Sequence, residues 1–354
     1  MWNRTEVSER LGITYPIIQG PFGGGLSSTK LLSAVSNAGG LGSYGVHSMD
    51  PGKIGELANE IRSLTAKPFA FNLWIPNDDA ISPSADEFER NLSLLDGYYR
   101  ELGIARPTRP SRFGQDYQMQ IKAVLDAKPP VFSFVFGVPE QTILQECRAR
   151  GIATIGTATT PDEAVVLDEA GVDCIVATGF EAGGHRGSFL RSAEDSLTGT
   201  FALVPQVVDR VNAPVVAAGG IADARGIMAA LALGAQGVQI GTAFLACEES
   251  GASAGHREML FGDHGKYTVL TKVFTGRLAR SMRNRFVEEM KAHECELSPY
   301  PVQSWLAGTL RAASIAQGRS DLISLSAGQA AGLLQLRDAK SLMDKLIREV
   351  SVRT

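Results

Sequence analysis

Residues 214–242 read PVVAAGGIADARGIMAALALGAQGVQIGT, in which two short apolar runs are joined by a stretch with helical spacing. The runs cover residues 214–218 and 237–241, and glycine stands at the end of each. Short apolar strands that alternate with helices are typical of βαβ units, whose strands pair in parallel. This stretch therefore predicts a strand–helix–strand unit of a parallel sheet.

The same alternation runs through the preceding two hundred residues. Apolar runs with helical stretches between them predict strands at residues 15–19, 42–45, 69–74, 131–136, 153–156, 174–177, 214–218 and 237–241. Eight such units in order favour an α/β fold closed into a (β/α)8 TIM barrel over a doubly wound open sheet. The chain of 354 residues is longer than the roughly 250 that a minimal barrel needs.

Two segments account for the additional length. Residues 75–114 are polar and contain four prolines, which predicts a functional insertion or lid after the third strand, helical around residues 87–95. Residues 247–354 are predicted to be a mostly helical extension that packs on the barrel. We therefore divide the chain into a barrel of residues 1–246, which includes the insertion, and this extension.

Composition excludes several classes of function. The net charge of −4 offers no basic field for nucleic acid. No membrane span or signal peptide is visible, and the unpaired spacing of the four cysteines fits reduced thiols, so we expect a cytoplasmic protein. Neither CxxC nor HExxH spacing occurs, so we expect no metal site.

Both glycine loops of the opening stretch predict a phosphate site. Loops after the seventh and eighth strands commonly form one in these barrels, and glycine lets backbone N–H groups approach phosphate oxygens. The loops are residues 218–221 (AGGI) and 239–242 (QIGT). The alternative is that the glycines only make tight turns. The glycine-rich residues 20–25 lack the spacing of a dinucleotide fingerprint, so a Rossmann site is not predicted.

A histidine between glycines is the main candidate for chemistry. It is His185 in GFEAGGHRG, residues 179–187, which follows the sixth strand and so lies at the carboxyl face. Histidine titrates near neutrality and suits proton transfer, although an exposed loop histidine without a role is the alternative. Asn72 stands in the apolar third strand and either binds a ligand or is satisfied by neighbouring backbone. The basic residues 275–286 are either a solvated face, an anion contact or an oligomer interface.

Taken together, five segments resemble the nitronate monooxygenases, formerly called 2-nitropropane dioxygenases. They are QGP (19–21), FNLW (71–74), EAGGHRG (181–187), AGGI (218–221) and QIGT (239–242), and the resemblance extends from near residue 10 to near residue 335. It implies an FMN-dependent barrel that oxidises alkyl nitronates, such as propionate-3-nitronate, with O2 to a carbonyl compound and nitrite. The same segments also resemble NAD(P)H-dependent FMN reductases of quinones or enoyl thioesters.

The resemblance implies a catalytic role for His185, as the base, and no metal. The FMN contacts that it implies are Gly20, Pro21, Phe22, Asn72, Thr178, Glu181, Ala182, Gly183, Gly184, Ala218, Gly219, Gly220, Gln239, Ile240, Gly241, Thr242 and Gln329. One departure is Thr178, where the family usually has glutamine, so an amide contact to the flavin is missing. The partners would be a small-molecule substrate and O2, with a homodimer as an open option. A flavin-free phosphosugar barrel is the alternative from another class.

Overall fold

The strands lie where the apolar runs predicted them. The computed structural model describes residues 2–76 and 83–353. In chain order the strands are β1 (Ile17–Gln19), β2 (Gly42–Gly45), β3 (Phe69–Trp74), β4 (Val131–Val135), β5 (Ala153–Ala158), β6 (Cys174–Thr178), β7 (Gly184–His185), β8 (Val215–Ala218), β9 (Gly237–Ile240), β10 (Thr268–Thr271) and β11 (Ala279–Met282).

Eight of these strands form a parallel sheet in the order β1-β9-β8-β6-β5-β4-β3-β2. The two ends of this sheet meet, because Ile18 bridges to Leu41 just before β2. The amide of Gln19 donates to the Leu41 carbonyl and the amide of Leu41 donates to the Ile17 carbonyl, each at 2.9 Å. This contact brings the sheet round into a barrel and confirms the predicted (β/α)8 architecture.

Helices alternate with the barrel strands, and further helices belong to the insertion and the extension. They are α1 (Glu6–Leu11), α2 (Thr29–Asn37), α3 (Pro51–Leu64), α4 (Ala85–Ser93), α5 (Asp96–Leu102), α6 (Tyr117–Ala127), α7 (Gln141–Ala149), α8 (Pro161–Glu169), α9 (Thr200–Val208), α10 (Ala224–Ala232), α11 (Thr242–Leu245), α12 (Ala254–Phe261), α13 (Arg285–Met290), α14 (Val302–Ala316) and α15 (Ala339–Arg353). Asp50 caps α3 by accepting from the Gly52 amide, and Pro51 follows as the first helical residue, as the sequence predicted.

Two apolar layers support the barrel. The larger lies between the strands and the surrounding helices and includes Phe69, Phe71, Phe132 and Phe134. A smaller one includes the buried strand residues Ile18, Ala70, Val131, Val176 and Val216, together with α1. These residues lie on parallel strands whose carboxyl ends share one face, so every loop that follows a strand opens on that face.

The insertion packs mainly against the extension. Helices α4 and α5 share an apolar cluster with α13 and α14, in which Phe88, Tyr99, Phe286 and Leu306 are buried. The hydroxyl of Tyr99 also bonds that of Thr309 on α14 at 2.6 Å. Helix α4 confirms the helix predicted around residues 87–95, whereas residues 77–82 of the predicted insertion lie outside the described residues.

The extension contains a β-hairpin that the sequence did not predict. Strands β10 and β11 pair antiparallel, and β11 also pairs with β7 in the histidine loop. The extension is otherwise mostly helical, as predicted, and the hairpin was missed because β11 also pairs with a strand that lies almost a hundred residues earlier. The last helix, α15, returns to pack against α2 and α10 of the barrel.

A substitution at Gly42 on β2 tests how closely α2 packs against the barrel. A Cβ there would stand 2.1 Å from the carbonyl oxygen of Leu32 in α2, which is a backbone atom that cannot turn aside. We expect Gly42→Ala to lower the free energy of unfolding by about 1–3 kcal/mol, the usual cost of overpacking. The measurement is chemical denaturation of the purified protein.

The matched control is Gly55→Ala in the exposed middle of α3, where nothing lies within 4 Å of the new methyl group. Alanine is a better helix former than glycine, so this change should stabilise by about 0.5–1 kcal/mol. Equal effects of the two substitutions would contradict the close approach of α2 to β2.

Candidate active site

A cavity of about 490 Å³ opens at the carboxyl ends of the barrel strands and is covered by the extension. Both the barrel loops and α14 contribute to its wall. Fifteen residues of the predicted site line it: Gly20, Pro21, Phe22, Asn72, Thr178, Ala182, Gly183, Gly184, His185, Ala218, Gly219, Gly220, Gln239, Gly241 and Thr242. Residues from six different strand ends thus meet in one place.

Three residues of the predicted contact set do not line the cavity. Ile240 is fully buried in the apolar layer, because its side chain points away from the mouth on the alternating strand. The Glu181 carboxylate accepts from the backbone amide and hydroxyl of Thr200. Gln329 is exposed and lies at a separate surface cleft. The prediction that these side chains contact a cofactor is not supported by their positions.

Glycine conformation shapes the two predicted phosphate loops. Gly219 and Gly220 have φ values of +104° and +72°, which side chains rarely adopt. A Cβ on Gly219 would lie 2.8 Å from the Thr200 hydroxyl, which Glu181 holds in place. Among the described residues, the amides of Gly183, Gly220 and Thr242 have no acceptor. The loops therefore present free N–H donors at the cavity, as an anion requires.

Asn72 and Thr178 border the same space from β3 and β6. Asn72 donates from Nδ2 to the Ser133 hydroxyl at 3.0 Å, and its side-chain oxygen Oδ1 has no donor in the described part of the chain. The amide is thus satisfied only in part, and by a side chain of the neighbouring strand instead of its backbone, while ligand binding by Asn72 stays a prediction. Thr178 is buried, and its backbone carbonyl accepts from the guanidinium of Arg186 at 3.1 Å.

The buried Arg186 ties the histidine loop to the barrel. Its guanidinium is 2% exposed and donates to the carbonyls of Thr178, Gly179 and Ser196 at 2.8–3.1 Å. Burial without a direct carboxylate contact lowers the pKa of Arg186 to about 10, although Glu163 and Glu181 act in the opposite direction. Because carbonyls of two segments, Thr178–Gly179 before His185 and Ser196 after it, accept from one planar group, the backbone on both sides of His185 is constrained.

His185 is held by both the barrel loop and the extension. As part of β7 it pairs with Ala279 of β11, and its ring packs edge-on against Trp74 with 4.8 Å between the ring centroids. Burial, assisted by the positive charge of Arg277, lowers the pKa of His185 to about 4. The side chain is therefore neutral at physiological pH and can accept a proton.

Hydrogen bonding around Thr275 selects the tautomer of His185. The Thr275 hydroxyl donates to the Arg277 carbonyl at 3.1 Å, so its single proton is committed. It then accepts from Nε2 of His185 at 2.8 Å, which places the imidazole proton on Nε2. Nδ1 has no partner among the described residues, so its lone pair remains available for a substrate proton.

Several cavity residues were not predicted as site residues. His47, after β2, stacks on Trp74 with 3.9 Å between ring centroids, and its buried Nδ1 lacks a hydrogen bond within the described part of the chain. Burial, together with the charges of His185 and Arg277, lowers the pKa of His47 to about 3. The position of His47 directly after a predicted strand was the feature of the sequence that could have indicated its place at the cavity. Tyr300, from the extension, lies 5.3 Å from Trp74 between ring centroids, and nothing in the sequence pattern indicated this contact.

Two arginines of the basic segment 275–286 do not lie on a solvated face. Arg277 lies over the rings of Phe136 and Tyr300, at 4.2 and 4.4 Å from their centroids. Arg280 is 4% exposed and donates to the Phe180 carbonyl and the Thr268 hydroxyl. A solvated face is therefore wrong for both residues, because the first packs against aromatic rings and the second lies on a buried strand.

Similarity to known proteins agrees with this arrangement. A family model described as nitronate monooxygenase matches residues 4–349. The chain belongs to the nitronate monooxygenase family. A probable nitronate monooxygenase of Staphylococcus aureus strain Newman is 38% identical over 352 residues, which are 99% of this chain and 98% of that protein.

Solved structures give the same result for this member of the nitronate monooxygenase family. The nitroalkane oxidase of Streptomyces ansochromogenes has a TM-score of 0.89 and 36% identity, with 98% of each chain covered. FabK of Thermotoga maritima has a TM-score of 0.76 and 31% identity, covering 99% of this chain and 97% of that one. The chain is thus an oxidoreductase whose relatives include enzymes named for nitro compounds.

Two kinds of feature are absent from residues 2–76 and 83–353. No helix there has both the length and the apolar composition to cross a bilayer. No group of three or more histidine, cysteine, aspartate or glutamate side chains in this part could hold a metal ion.

Removal of the Arg277 charge should raise the pKa of His185. We expect the ring to stay neutral down to about pH 4 in the wild type, and to begin protonating at higher pH in Arg277→Met, since a like charge has been removed. NMR titration of isotope-labelled histidine measures this, with the His185 signal identified by its loss in His185→Ala. Arg283→Met, on an exposed arginine paired with Glu288, is the control and should leave the titration unchanged.

Thr275 offers a second test, of the tautomer. In Thr275→Val the hydroxyl that accepts from Nε2 is lost, so the ¹⁵N chemical shifts of the His185 ring should move from a single Nε2–H form toward a mixture of tautomers. Thr275→Ser retains the hydroxyl and should retain the wild-type shifts. An unchanged Nε2–H signature in Thr275→Val would show that Thr275 does not set the tautomer.

Proposed function

We propose that the protein oxidises alkyl nitronates, propionate-3-nitronate among them, with FMN and O2 to a carbonyl compound and nitrite. The observation that carries the proposal is the neutral His185, which shares one cavity with two glycine loops whose N–H donors are free. When bound, FMN would supply the transfer of electrons from substrate to O2. The protein residues bind, orient and handle the proton.

The residues that line the cavity fit an FMN. The amides of Gly183, Gly220 and Thr242 would hold its phosphate, since they have no acceptor in the described chain. Asn72 would offer its carbonyl oxygen, and possesses one free N–H besides that given to Ser133. Thr178 would offer a hydroxyl in place of the usual amide. A Cβ on Gly241 would meet only Phe22, at 3.9 Å, so a flat ring can approach the backbone here.

His185 would act as a base through Nδ1. A neutral nitroalkane becomes the nitronate only when it loses a proton from the carbon that bears the nitro group, and the lowered pKa of His185 keeps the imidazole ready to accept that proton. This favours proton transfer over an alternative in which His185 binds the nitronate as imidazolium, because burial penalises the charged ring. Trp74 and Phe136 pack around the histidine and limit the access of water to it.

The second candidate is reduction of FMN by NAD(P)H, followed by reduction of a quinone or an enoyl thioester. The observation in its favour is a cationic side chain in the cavity wall, Arg311, which could meet a nucleotide phosphate. Anaerobic mixing distinguishes the candidates. If nitronate bleaches the flavin and pyridine nucleotides do not, the proposed oxidation is supported. The reverse result supports the reductase, and a colourless protein that takes up no FMN contradicts both.

Substitution of His185 tests its role directly. We expect His185→Ala to retain bound flavin but to lose about 10²–10⁴-fold in turnover of neutral nitroalkanes, the usual contribution of a general base. Steady-state kcat and the flavin absorbance of the purified variant are the measurements. The control is His264→Ala, an exposed histidine distant in sequence from the cavity loops, which should behave as wild type. Normal turnover in His185→Ala would remove this residue from the mechanism.

A further inference from the structure

Arg311 is the one side chain with a fixed charge in the cavity wall, among the residues that the structure describes. The wall contains no lysine, aspartate or glutamate there, and Arg277 stands behind the aromatic rings and is not part of it. The two histidines of the wall are neutral at physiological pH. The wall therefore has a net positive charge that is located at one point.

The guanidinium of Arg311 has no acceptor in the described part of the chain. No hydrogen bond or ion pair joins it to another side chain, and burial lowers its pKa. Arginine carries five N–H donors, and a half-buried cation without a partner is unfavourable until an anion is bound. Arg311 therefore differs from the buried Arg186 and Arg280, whose donors are used within the protein.

Helix α14 presents small residues next to this charge. Ser304, Ala307, Gly308 and Arg311 all line the cavity and share one helical face, because they are three or four residues apart. Nothing lies within 4 Å of the position where a Cβ of Gly308 would stand. This face forms an open slot that leads from Tyr300, beside Trp74, toward Arg311, and the rise of a helix gives about 10 Å between residues 304 and 311.

The far end of the slot is separate from the phosphate loops. Arg311 lies beside the loop after β1, with Nη1 3.6 Å from where a Cβ of Gly25 would stand. Burial is the main cause of the lowered pKa of His256, which lies outside the cavity wall. Arg311 is close enough for its positive charge to lower that pKa further. The free amides lie instead at Gly183 in the histidine loop and at Gly220 and Thr242 in the phosphate loops, so the phosphate of the flavin would have its own donors.

We propose that Arg311 binds an acidic group of the reacting ligand, a carboxylate or a phosphate ester, at a distance from the carbon that reacts. The inference rests on the proposed flavin site, because it assumes that the ligand extends along α14 from the region of His185. Two sources share this chemistry. One is the acid end of a nitronate, and the other is a phosphate of NAD(P)H.

The experiment compares matched ligands on the FMN-loaded wild type, Arg311→Met and Arg311→Lys. The nitronate pairs are propionate-3-nitronate with propyl-1-nitronate, and pentanoate-5-nitronate with pentyl-1-nitronate, so that each pair differs only in the terminal acid. For each pair, the ratio of kcat/KM for the acid to kcat/KM for the alkyl compound is measured. Anaerobic reduction by NADPH and NADH forms the nucleotide arm. FMN content is measured for every variant.

The usual strength of a charge-assisted hydrogen bond sets the size of the change expected in Arg311→Met. We expect the acid-to-alkyl ratio of at least one pair, or the rate constant for reduction by NADPH at low concentration, to fall roughly 10- to 100-fold in Arg311→Met. Arg311→Lys should recover part of it. Loss in the nitronate arm identifies the substrate acid as the source, and loss in the nucleotide arm identifies a phosphate.

Other results would overturn the inference. Loss of FMN from Arg311→Met would mean that Arg311 serves the flavin itself, and unchanged ratios in both arms would mean that it binds no acid. If the wild type turns over no nitronate, the proposed function fails. In that case the dissociation constants of 3-nitropropionate and 1-nitropropane are measured from the change in flavin absorbance on binding. Tighter binding of 3-nitropropionate than of 1-nitropropane in the wild type, lost in Arg311→Met, supports the inference. Equal binding of the two compounds by the wild type contradicts it.

Discussion

The pairing of β7 with β11 is the contact on which the site depends. It joins Gly184–His185, in a barrel loop, to Ala279–Met282, in the extension, and so connects the two parts of the chain at the catalytic candidate. Arg186 fixes the same loop from the opposite side through three carbonyls. A glycine-rich loop has high conformational freedom when isolated, so His185 owes its defined position to these partners.

Burial then determines the charge state of the cavity. His47 and His185 lie near Arg277, which is placed over aromatic rings. Burial of the two imidazoles and the positive charge of Arg277 both disfavour protonation of these histidines. The result is a cavity whose two histidines are neutral and whose one fixed charge, among the residues that the structure describes, belongs to Arg311. Under the proposed function, such a cavity would separate the group that transfers a proton from the group that binds an anion.

Local patterns in the sequence were sufficient for the barrel and for much of the site. Alternating apolar runs gave the strand positions, and the rule that strand ends share one face gathered Asn72, His185, Gly220 and Thr242 correctly. The resemblance implied a flavin contact for Glu181, whereas in the structure its carboxylate accepts from the Thr200 hydroxyl. The local pattern failed for β11, because a strand of four residues that contains one arginine has no periodicity that separates it from a helix.

By itself, the sequence determined the eight βα units, the glycine loops and the histidine between glycines, since each depends on residues that are close along the chain. Tertiary structure decided the neutral state and tautomer of His185, the aromatic contacts of Arg277 and the unpartnered position of Arg311. Several of the contacts behind these properties join residues ninety or more positions apart, such as His185 with Thr275 and Trp74 with Tyr300. Hydrogen bonding and desolvation act through space, and no local pattern records which distant segment will supply them.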